Sequence, residues 1–521
     1  MLGNSVDVLI VGGGIMAAGV ARQLRDARPG ARILMVDAGT VIGSVAGQHL
    51  HDSPDEAIWS RYNARVSTGV QSHYLGAETT ADIGPTVVGA EPGIYNLSAF
   101  GADADAMPAS AVAWNAGGMG VHWTAATPWP FAFEAFAAPG APEGQWQADL
   151  ASAQKLLHVD PHPYSSGAPG DTMIAALDEV FGPASAEGRH PQPMPMAVTP
   201  TTGTDASGTD MHAATASPSG EMLRTGPNRI FEPIATGGDP LFELRPGTLC
   251  TRLEYAGGHV SGATVRTIET GETYLIEATV VVVCADTIRT PQLLWASGIR
   301  PEALGQNLNE HAFLSGRVTA DHERLGIDLS TLTLPREGEH FIGSYWLPTS
   351  GEGQPFHGQI MDSPITDEAG EIVGYAVGLS WYVPTETRAA NRLEFSDTEL
   401  DPAGMPRLSV HFSYSDADLA LIERGRQSQA LAGRALGDFD PDRDSALLAA
   451  GSSLHYTGTV RLGPVDDGTS VCDVDARVWG FDNLYLAGNG VVPTPLACNS
   501  TLTGMITAVR ASRAAARHLP A

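Results

Sequence analysis

Residues 6–17 read VDVLIVGGGIMA, and this stretch decides the fold. The apolar run over residues 6–11 predicts a buried strand that ends in three glycines, and apolar residues then recur at helical spacing as far as Leu24. A Pro-Gly pair ends that helix, and residues 32–36, RILMV, predict a second strand that stops at Asp37. The N-terminus is therefore predicted to form a strand–helix–strand unit.

Gly12, Gly14 and Ala17 have the spacing of small residues with which a dinucleotide-binding fold brings a pyrophosphate close to a helix N-terminus. The alternative is a glycine turn that only packs a strand on a helix, but here the strand, the helix and an acidic residue are all in place. Asp37 can accept hydrogen bonds from both ribose hydroxyls, which favours FAD or NAD over a dinucleotide with a 2′-phosphate.

Length and charge limit the classes of protein that remain. A chain of 521 residues with 43% hydrophobic residues exceeds what one core usually serves, so two domains are expected. The formal net charge of −29 argues against nucleic acid and against an anionic membrane surface, because both need clusters of Lys and Arg. We expect small molecules as partners.

Four cysteines without CxxC spacing, and no basic segment followed by an apolar one at Met1, favour a cytoplasmic protein without disulfides. No cluster of metal-ligand residues stands out, and we expect no metal site. No apolar run reaches the length of a membrane span.

The pattern changes along the chain. Residues from about 43 to 111 are predicted to form loops and short elements over the cofactor, and the polar stretch 198–220 a surface excursion. Short strands follow from Phe242, with a helix over Thr290–Ala296. From about 313 to 447, segments such as HFIGSYWLP, YAVGLSWYV and RLSVHFSY are typical of antiparallel strands with one exposed face.

These patterns predict an α/β protein with two domains. A discontinuous Rossmann-like domain for the dinucleotide is expected over residues 1–312 and 450–521, with excursions at about 43–111 and 126–220. Its C-terminal part is predicted to contain a strand at Leu484–Ala487 and a helix over Ser500–His518. Residues 313–449 are expected to form an α+β substrate-binding domain with an antiparallel sheet.

A second glycine-rich stretch, residues 115–124 (NAGGMGVHWT), lets a backbone lie against a flat ring. An ordinary loop with a hydrogen-bonded core histidine is the alternative. The candidate cofactor contacts in this stretch are Gly117, Gly118, Met119, His122 and Thr124.

With this loop included, the chain resembles the glucose–methanol–choline (GMC) family of FAD oxidoreductases, and within it the pyranose oxidase branch with its bacterial glycoside 3-oxidases. The resemblance is carried by Gly12 to Ala17, Gly117 to Pro128, Asp286 to Ile299 and His455 to Thr503. The stretch from Leu304 to His311 is similar to the family's G-x-N-L-x-x-H segment. Asp286 departs from the family, which has a small residue at this position.

The resemblance implies FAD as the cofactor and contacts from several further residues. In some relatives the histidine that matches His122 carries the flavin covalently, and the residue that matches Thr124 faces the flavin's reactive edge. Such a bond through His122 is an open alternative here. Gly488 and Asn489 are expected at the ribityl or pyrophosphate part, and Thr501 at a helix N-terminus directed at the flavin.

His455 and Asn499 are the candidate catalytic pair. Oxidation of an alcohol removes an O–H proton and a C–H hydride, and a neutral imidazole is a suitable base near pH 7. Asn499 can donate a hydrogen bond to the same oxygen and position the carbon. The resemblance implies that the hydride passes to flavin N5, and Asn in the second position selects the pyranose oxidase branch. Cys498 lacks a nucleophile arrangement and is predicted to be a packing residue.

We therefore expect an FAD-dependent oxidase of a secondary ring hydroxyl on glucopyranose sugars or glycosides, including C-glycosides, that reduces O2 to H2O2. Oxidation at C3 is favoured, with a pyranose 2-oxidase or a sugar dehydrogenase that uses a quinone as alternatives. An NAD-linked reductase and a non-catalytic flavin-binding module are further rivals. Five aromatic residues are candidates to stack on the sugar, although sheet packing is the more ordinary role of each: Tyr345, Trp346, Phe356, Trp381 and Tyr382.

Overall fold

The structure of the chain is a computed structural model that describes residues 2–53, 55, 92–136, 143–163, 168–200, 222–332, 334 and 343–520. Its strands are β1 (Ser5–Val11), β2 (Ile33–Val36), β3 (Gly93–Asn96), β4 (Ala111–Trp114), β5 (Val159–Asp160), β6 (Gln192–Pro193), β7 (Met196–Pro200), β8 (Met222–Arg224), β9 (Phe242–Arg245), β10 (Thr248–Ala256), β11 (His259–Thr267), β12 (Thr273–Val283), β13 (Ala312–Thr319), β14 (Gly343–Leu347), β15 (His357–Thr366), β16 (Ile372–Val383), β17 (Arg392–Leu400), β18 (Pro406–His411), β19 (Ser445–Leu447) and β20 (Leu484–Leu486). Its α-helices are α1 (Ile15–Ala27), α2 (Gln145–Leu156), α3 (Ala168–Phe181), α4 (Pro227–Ile230), α5 (Pro233–Thr236), α6 (Asp286–Ala296), α7 (His322–Leu325), α8 (Asp416–Leu436), α9 (Pro441–Asp444) and α10 (Ser500–Ala515).

The first sheet has the strand order β10-β11-β12-β1-β2-β9, with β20 beside β12. β1 is parallel to both β12 and β2, and Ile10 pairs with Val282 on one side and with Met35 on the other. All three side chains are buried, as expected of a parallel sheet covered on both faces. The predicted strand–helix–strand unit is confirmed, and so are the C-terminal strand and helix, seen as β20 and α10.

The carboxyl ends of four parallel strands bring four loops to one edge of this sheet. β1 leads into Gly12, β2 into Asp37, β12 into Cys284 and β20 into Gly488. In open parallel sheets this edge is where ligands bind. The topology therefore gathers residues from both ends of the chain into one place.

Helix α6 begins four residues before the predicted start at Thr290. Asp286 has φ +68°, and its carboxylate accepts hydrogen bonds from the N–H groups of Ile288 at 2.6 Å and Arg289 at 2.9 Å, which caps the helix. Pro291 lies inside the helix and cannot donate to the carbonyl of Thr287. That carbonyl accepts a hydrogen bond from the Thr459 hydroxyl instead, so the proline is tolerated.

The second sheet is antiparallel, with the order β19-β13-β16-β15-β14-β6. The prediction of antiparallel strands is confirmed. The expectation of one exposed face holds for the β17–β18 hairpin, where buried Leu408 and Val410 alternate with more exposed residues, but it is wrong for this sheet. Leu314 pairs with Trp381, and Phe313 pairs with Tyr382, so the two pairs face opposite sides of the sheet; all four side chains are buried. Helices α3 and α8 pack against one face, and the other lines a cavity.

The division into domains at residues 313–449 stays a prediction. Two segments pack across it: α3, from the 126–220 excursion, joins the core of the antiparallel sheet, whereas the β17–β18 hairpin packs with α6 and β3. Most of the 43–111 segment and nearly all of the 198–220 excursion lie outside the described residues. Within the described part of the chain, no helix is long and apolar enough to cross a membrane.

Candidate active site

A cavity of about 710 Å³ lies between the carboxyl edge of the parallel sheet and the inner face of the antiparallel sheet. Its volume is in the range of ligand sites. Gly12 forms part of it with φ +103°, and a Cβ at this position would lie 2.4 Å from the carbonyl oxygen of Cys284. Only glycine fits there, which keeps the β1–α1 turn open to a ligand.

Asp37 lines the cavity and binds the backbone of the β1–α1 turn. One carboxylate oxygen accepts the N–H of Gly13 at 2.7 Å, and the other accepts the N–H of Gly39 at 2.8 Å. Burial raises the pKa of Asp37 to about 7, and the charge of Asp286 adds to the rise. Each oxygen retains a lone pair that a ribose hydroxyl can use.

The second glycine-rich stretch lies beside the first. Gly117 has φ +99°, and an added Cβ would lie 2.6 Å from the Val121 side chain, so the turn requires glycine. The Nε2–H of His122 donates to Asn115 Oδ1 at 3.0 Å. Burial lowers the pKa of His122 to about 3, so its imidazole is neutral. Thr124, two residues on, is exposed to the cavity.

The C-terminal contribution comes from the loop after β20 and the start of α10. Asn489 Nδ2 donates to the Ser500 hydroxyl at 2.8 Å. Its Oδ1 is buried, and it finds no hydrogen-bond partner within the described part of the chain. A Cβ at Gly504 would lie 2.1 Å from this oxygen, so Asn489 packs closely against α10 and holds the loop after β20 to that helix.

Most predicted cofactor residues meet in this cavity, and two do not. The residues that line it are Gly12, Gly14, Asp37, Gly118, Met119, His122, Thr124, Gly488, Asn489 and Thr501. Ala17 and Gly117 lie behind the lining, Ala17 in the core between α1 and the sheet. The set offers backbone amides, a helix start and an acidic ribose acceptor, which fits a dinucleotide. Within the described ranges no group of three or more His, Cys, Asp or Glu residues could hold a metal ion.

His455 and Asn499 line the part of the cavity nearest the antiparallel sheet. Asn499 Nδ2 lies 3.2 Å from His455 Nε2. Burial holds the pKa of His455 well below its usual range, and charge on His311 or His357 would lower it further. The imidazole is therefore neutral near pH 7 and carries a lone pair.

Glu310 holds the loop that carries His455. Its Oε1 accepts the N–H of Ser453 at 3.0 Å and the Ser453 hydroxyl at 2.6 Å. Leu454 follows with φ +59°, in the left-handed region, and directs the next residue into the cavity. Burial raises the pKa of Glu310 to about 8.

Glu134 holds the loop that carries Asn499. Its Oε1 accepts the N–H groups of Ala497 at 2.7 Å and Cys498 at 2.9 Å. Cys498 is fully buried, and burial raises the pKa of its thiol, consistent with its predicted packing role.

Sequence reasoning missed four residues around the pair: Glu134, Glu310, His311 and His357. Glu310 and His311 both lie in the segment from Leu304, but only His311 is a defined residue of the G-x-N-L-x-x-H motif, and no role was assigned to either. Glu134 and His357 lie in stretches without a motif, and only the fold brings them to the site.

The antiparallel sheet supplies the remaining wall of the cavity, with side chains from β13, β15 and β16: Phe313, Ser315, Gln359, Met361, Ser380 and Tyr382. Among the five aromatic candidates only Tyr382 lies on this wall. Trp381 packs in the core on the opposite face, and the Tyr345 hydroxyl donates to Asp362 at 3.0 Å.

Comparisons with known proteins bear on the family of the chain. Two family models described as GMC oxidoreductase match residues 242–313 and 387–508. The chain is 35% identical to a C-glycoside 3-oxidase of Microbacterium trichothecenolyticum, over 98% of this chain and 96% of that one. It is 26% identical to a pyranose 2-oxidase of Tricholoma matsutake, over 98% and 94% of the two chains.

A solved structure, the pyridoxine 4-oxidase from Mesorbium loti, matches with a TM-score of 0.60 at 18% identity and covers 98% of both chains. This likeness concerns the fold alone. Because of the full-length relatives and the two family models, the chain belongs to the GMC oxidoreductase family and is an oxidoreductase that acts on CH–OH groups.

Proposed function

We propose that the chain is a flavin-dependent oxidase of a secondary ring hydroxyl on glucopyranose glycosides, with oxidation at C3 favoured. The observation that carries the proposal is the 3.2 Å contact between His455 Nε2 and Asn499 Nδ2 on the wall of a cavity whose other end fits a dinucleotide. When bound, FAD, the cofactor of this family, would supply the acceptor for the hydride, and its two electrons would go on to O2 or another acceptor.

The roles of the two residues follow from their atoms. His455 is neutral, and its Nε2 takes the proton of the substrate hydroxyl while the C–H hydride leaves the same carbon. Asn499 carries two N–H donors, and the one that faces His455 Nε2 must give way when the substrate hydroxyl occupies that lone pair. An N–H of Asn499 can then donate to the substrate oxygen, which gains negative charge in the transition state. The product is a ketone on the ring. Proton and hydride together account for the two hydrogens lost.

Polar and apolar groups on the sheet wall suit a sugar with an attached group. Ser315, Ser380 and Gln359 lie side by side across β13, β16 and β15, because Ser380 pairs with both of the others. Hydroxyl and amide groups of this kind bind sugar hydroxyls. Two residues away along each strand, Gly378 pairs with Met361, and a Cβ at Gly378 would meet only the Met361 carbonyl oxygen, at 3.5 Å. The Met361 side chain with the space above Gly378 suits an apolar, flat group. This pattern supports a glycoside rather than a free sugar.

The choice of C3 rests on the relatives. The two C-glycoside 3-oxidases, from Microbacterium trichothecenolyticum and Arthrobacter globiformis, are each 35% identical to the chain, against 26% for the pyranose 2-oxidase. Oxidation at C2 is therefore the less favoured alternative. The catalytic pair itself does not select a carbon.

Anaerobic mixing with an aryl C-glucoside, an O-glucoside and glucose tests the proposal. Loss of the flavin's visible absorbance with the glucosides, and a 3-keto product by NMR, is the expected result. A 2-keto product would show that C2, and not C3, is the carbon oxidised. An unbleached flavin with all three substrates would overturn the proposal. The yield of H2O2 in air, compared with reduction of a quinone, identifies the acceptor.

Covalent attachment of FAD through His122 is a separate question. With Nε2 donating to Asn115, the lone pair of the neutral ring is on Nδ1, which gives the imidazole a nucleophilic nitrogen. Acid precipitation decides the matter: a yellow pellet indicates a covalent bond, and a yellow supernatant indicates FAD held without one. A His122→Ala control should always release the FAD.

A further inference from the structure

We propose that His311 and His357 are positioning residues that hold His455 and Asn499 in a single arrangement of protons, with the lone pair of His455 on Nε2. This inference rests on the proposed role of His455 as the base. Neither histidine lines the cavity, and their side chains are 3% and 0% exposed. They lie directly behind the two residues that do.

The first part of the argument begins at the Leu496 carbonyl oxygen, which can only accept. His311 Nε2 lies 2.7 Å from it, so the proton of His311 is on Nε2. Burial lowers the pKa of His311 to about 4, so the ring is neutral and its Nδ1 is an acceptor. His455 Nδ1, at 3.0 Å, must then be the donor.

The second part begins at the indole N–H of Trp346, which can only donate. It lies 2.8 Å from His357 Nδ1, which must accept, so the proton of His357 is on Nε2. Burial lowers the pKa of His357 to about 3, charge on His311 would lower it further, and the Asn499 side chain opposes this effect.

The amide of Asn499 is thereby oriented. Its Oδ1 and His357 Nε2 are both buried, and neither has a partner at standard hydrogen-bond distance among the described residues. Asn499 Oδ1 can only accept and His357 Nε2 carries a proton, so the two atoms are assigned to each other as acceptor and donor. Asn499 Nδ2 is then the group that faces His455 Nε2, at 3.2 Å.

The result is one directed series of donors and acceptors from Trp346 through His357, Asn499, His455 and His311 to the carbonyl of Leu496. Four of its links are within hydrogen-bond distance, and the link between His357 and Asn499 is assigned from the roles of the two atoms. Both ends have a fixed polarity, so each proton between them is placed. The other tautomer of His455 would oppose two N–H groups at Nε2 and two lone pairs at Nδ1. These donors and acceptors therefore select the tautomer of His455 in which Nε2, the atom on the cavity side, is basic.

The tautomer is measured directly by 15N NMR of the holoenzyme labelled at histidine, with the His455 signals identified by their loss in His455→Gln. We expect Nδ1 of His455 protonated and Nε2 unprotonated in the wild type. His311→Leu removes the acceptor and should give a mixture of tautomers, whereas His311→Asn supplies an acceptor near the Nδ1 position and should restore the wild-type state. Protonation of wild-type His455 on Nε2 would overturn the inference, even if His311→Leu does not fold.

Kinetics provide a second measurement. In anaerobic stopped-flow with a glucoside, His311→Leu should reduce its flavin about tenfold to a hundredfold more slowly at nearly unchanged substrate affinity. His311→Asn should recover most of the rate. His357→Gln, which keeps a donor toward Asn499, should reduce its flavin faster than His357→Leu. Wild-type rates in both Leu variants would contradict the positioning role. If His455→Gln also kept the wild-type rate, the proposed base itself would be wrong.

Discussion

His455 Nε2 and Asn499 Nδ2 lie 3.2 Å apart although 44 residues separate them in the chain. Two glutamates fix the loops that bring these residues together. Glu310 binds the backbone of the loop before His455, and Glu134 binds the backbone of the loop before Asn499. The pair is thus a product of the fold around it as much as of its own motif.

Asn499 should act through its N–H groups. Asn499→Asp keeps the size of the side chain but replaces both donors by a negative charge, which opposes the charge that develops on the substrate oxygen. We expect flavin reduction about a hundredfold slower in Asn499→Ala and slower still in Asn499→Asp, with FAD content unchanged. Equal rates in Asn499→Asp and the wild type would exclude a donor role.

Gly12 should be indispensable for cofactor binding. An added Cβ would lie 2.4 Å from the Cys284 carbonyl oxygen, and φ is +103°. Gly12→Ala is expected to purify with little or no FAD, read from the ratio of visible to ultraviolet absorbance. Gly3→Ala, where nothing lies within 4 Å, is the matched control and should keep its FAD.

Glu134 should be required for the shape of the loop before Asn499. Glu134→Ala leaves the buried N–H groups of Ala497 and Cys498 without their acceptor, at a cost of about 2–4 kcal/mol in the free energy of unfolding. Chemical denaturation should show this loss together with slower flavin reduction. Glu143→Ala, at an exposed position, should change neither.

The sequence predicted those strands and helices whose pattern lies within a short stretch of neighbouring residues. The β1–α1–β2 unit follows from apolar periodicity and three glycines. His455 and Asn499 were predicted as the catalytic pair from the resemblance to the pyranose oxidase branch, which has Asn in the second position. The covered antiparallel sheet could not be predicted, because alternation along β16 is the same whether its second face meets water or a cavity. His357 and Glu134 were missed for a similar reason, since their partners are far away in sequence.

The pH dependence of flavin reduction should reflect the lowered pKa of His455. Because burial disfavours the imidazolium, the base is present above the lowered value and is lost only well below the usual 6.5. We expect a constant rate of reduction from about pH 7.5 down to about pH 5.5 in anaerobic stopped-flow. A fall in rate centred near 6.5 would show that the imidazole is solvated like a free histidine.

Glu310 should make the stability of the protein depend on pH. Its pKa is about 8 in the folded chain, against a usual 4.5, because it is buried. Between these values the unfolded chain releases a proton that the folded chain retains, so this group's contribution to stability declines as pH rises from 4.5 to 8. The amide in Glu310→Gln resembles the protonated carboxyl group and does not titrate. The stability of this variant should therefore lack the decline that Glu310 causes.

The free energy of unfolding of Glu310→Gln relative to the wild type should therefore rise with pH, by about 1 kcal/mol per pH unit, in urea titrations of the holoenzyme between pH 5 and pH 8. Glu368→Gln, in an exposed turn, should show no such slope relative to the wild type. Parallel curves for Glu310→Gln and the wild type would mean that Glu310 is ionised in the folded protein. In that case a negatively charged carboxylate, and not a neutral carboxylic acid, would lie beneath the loop that carries His455.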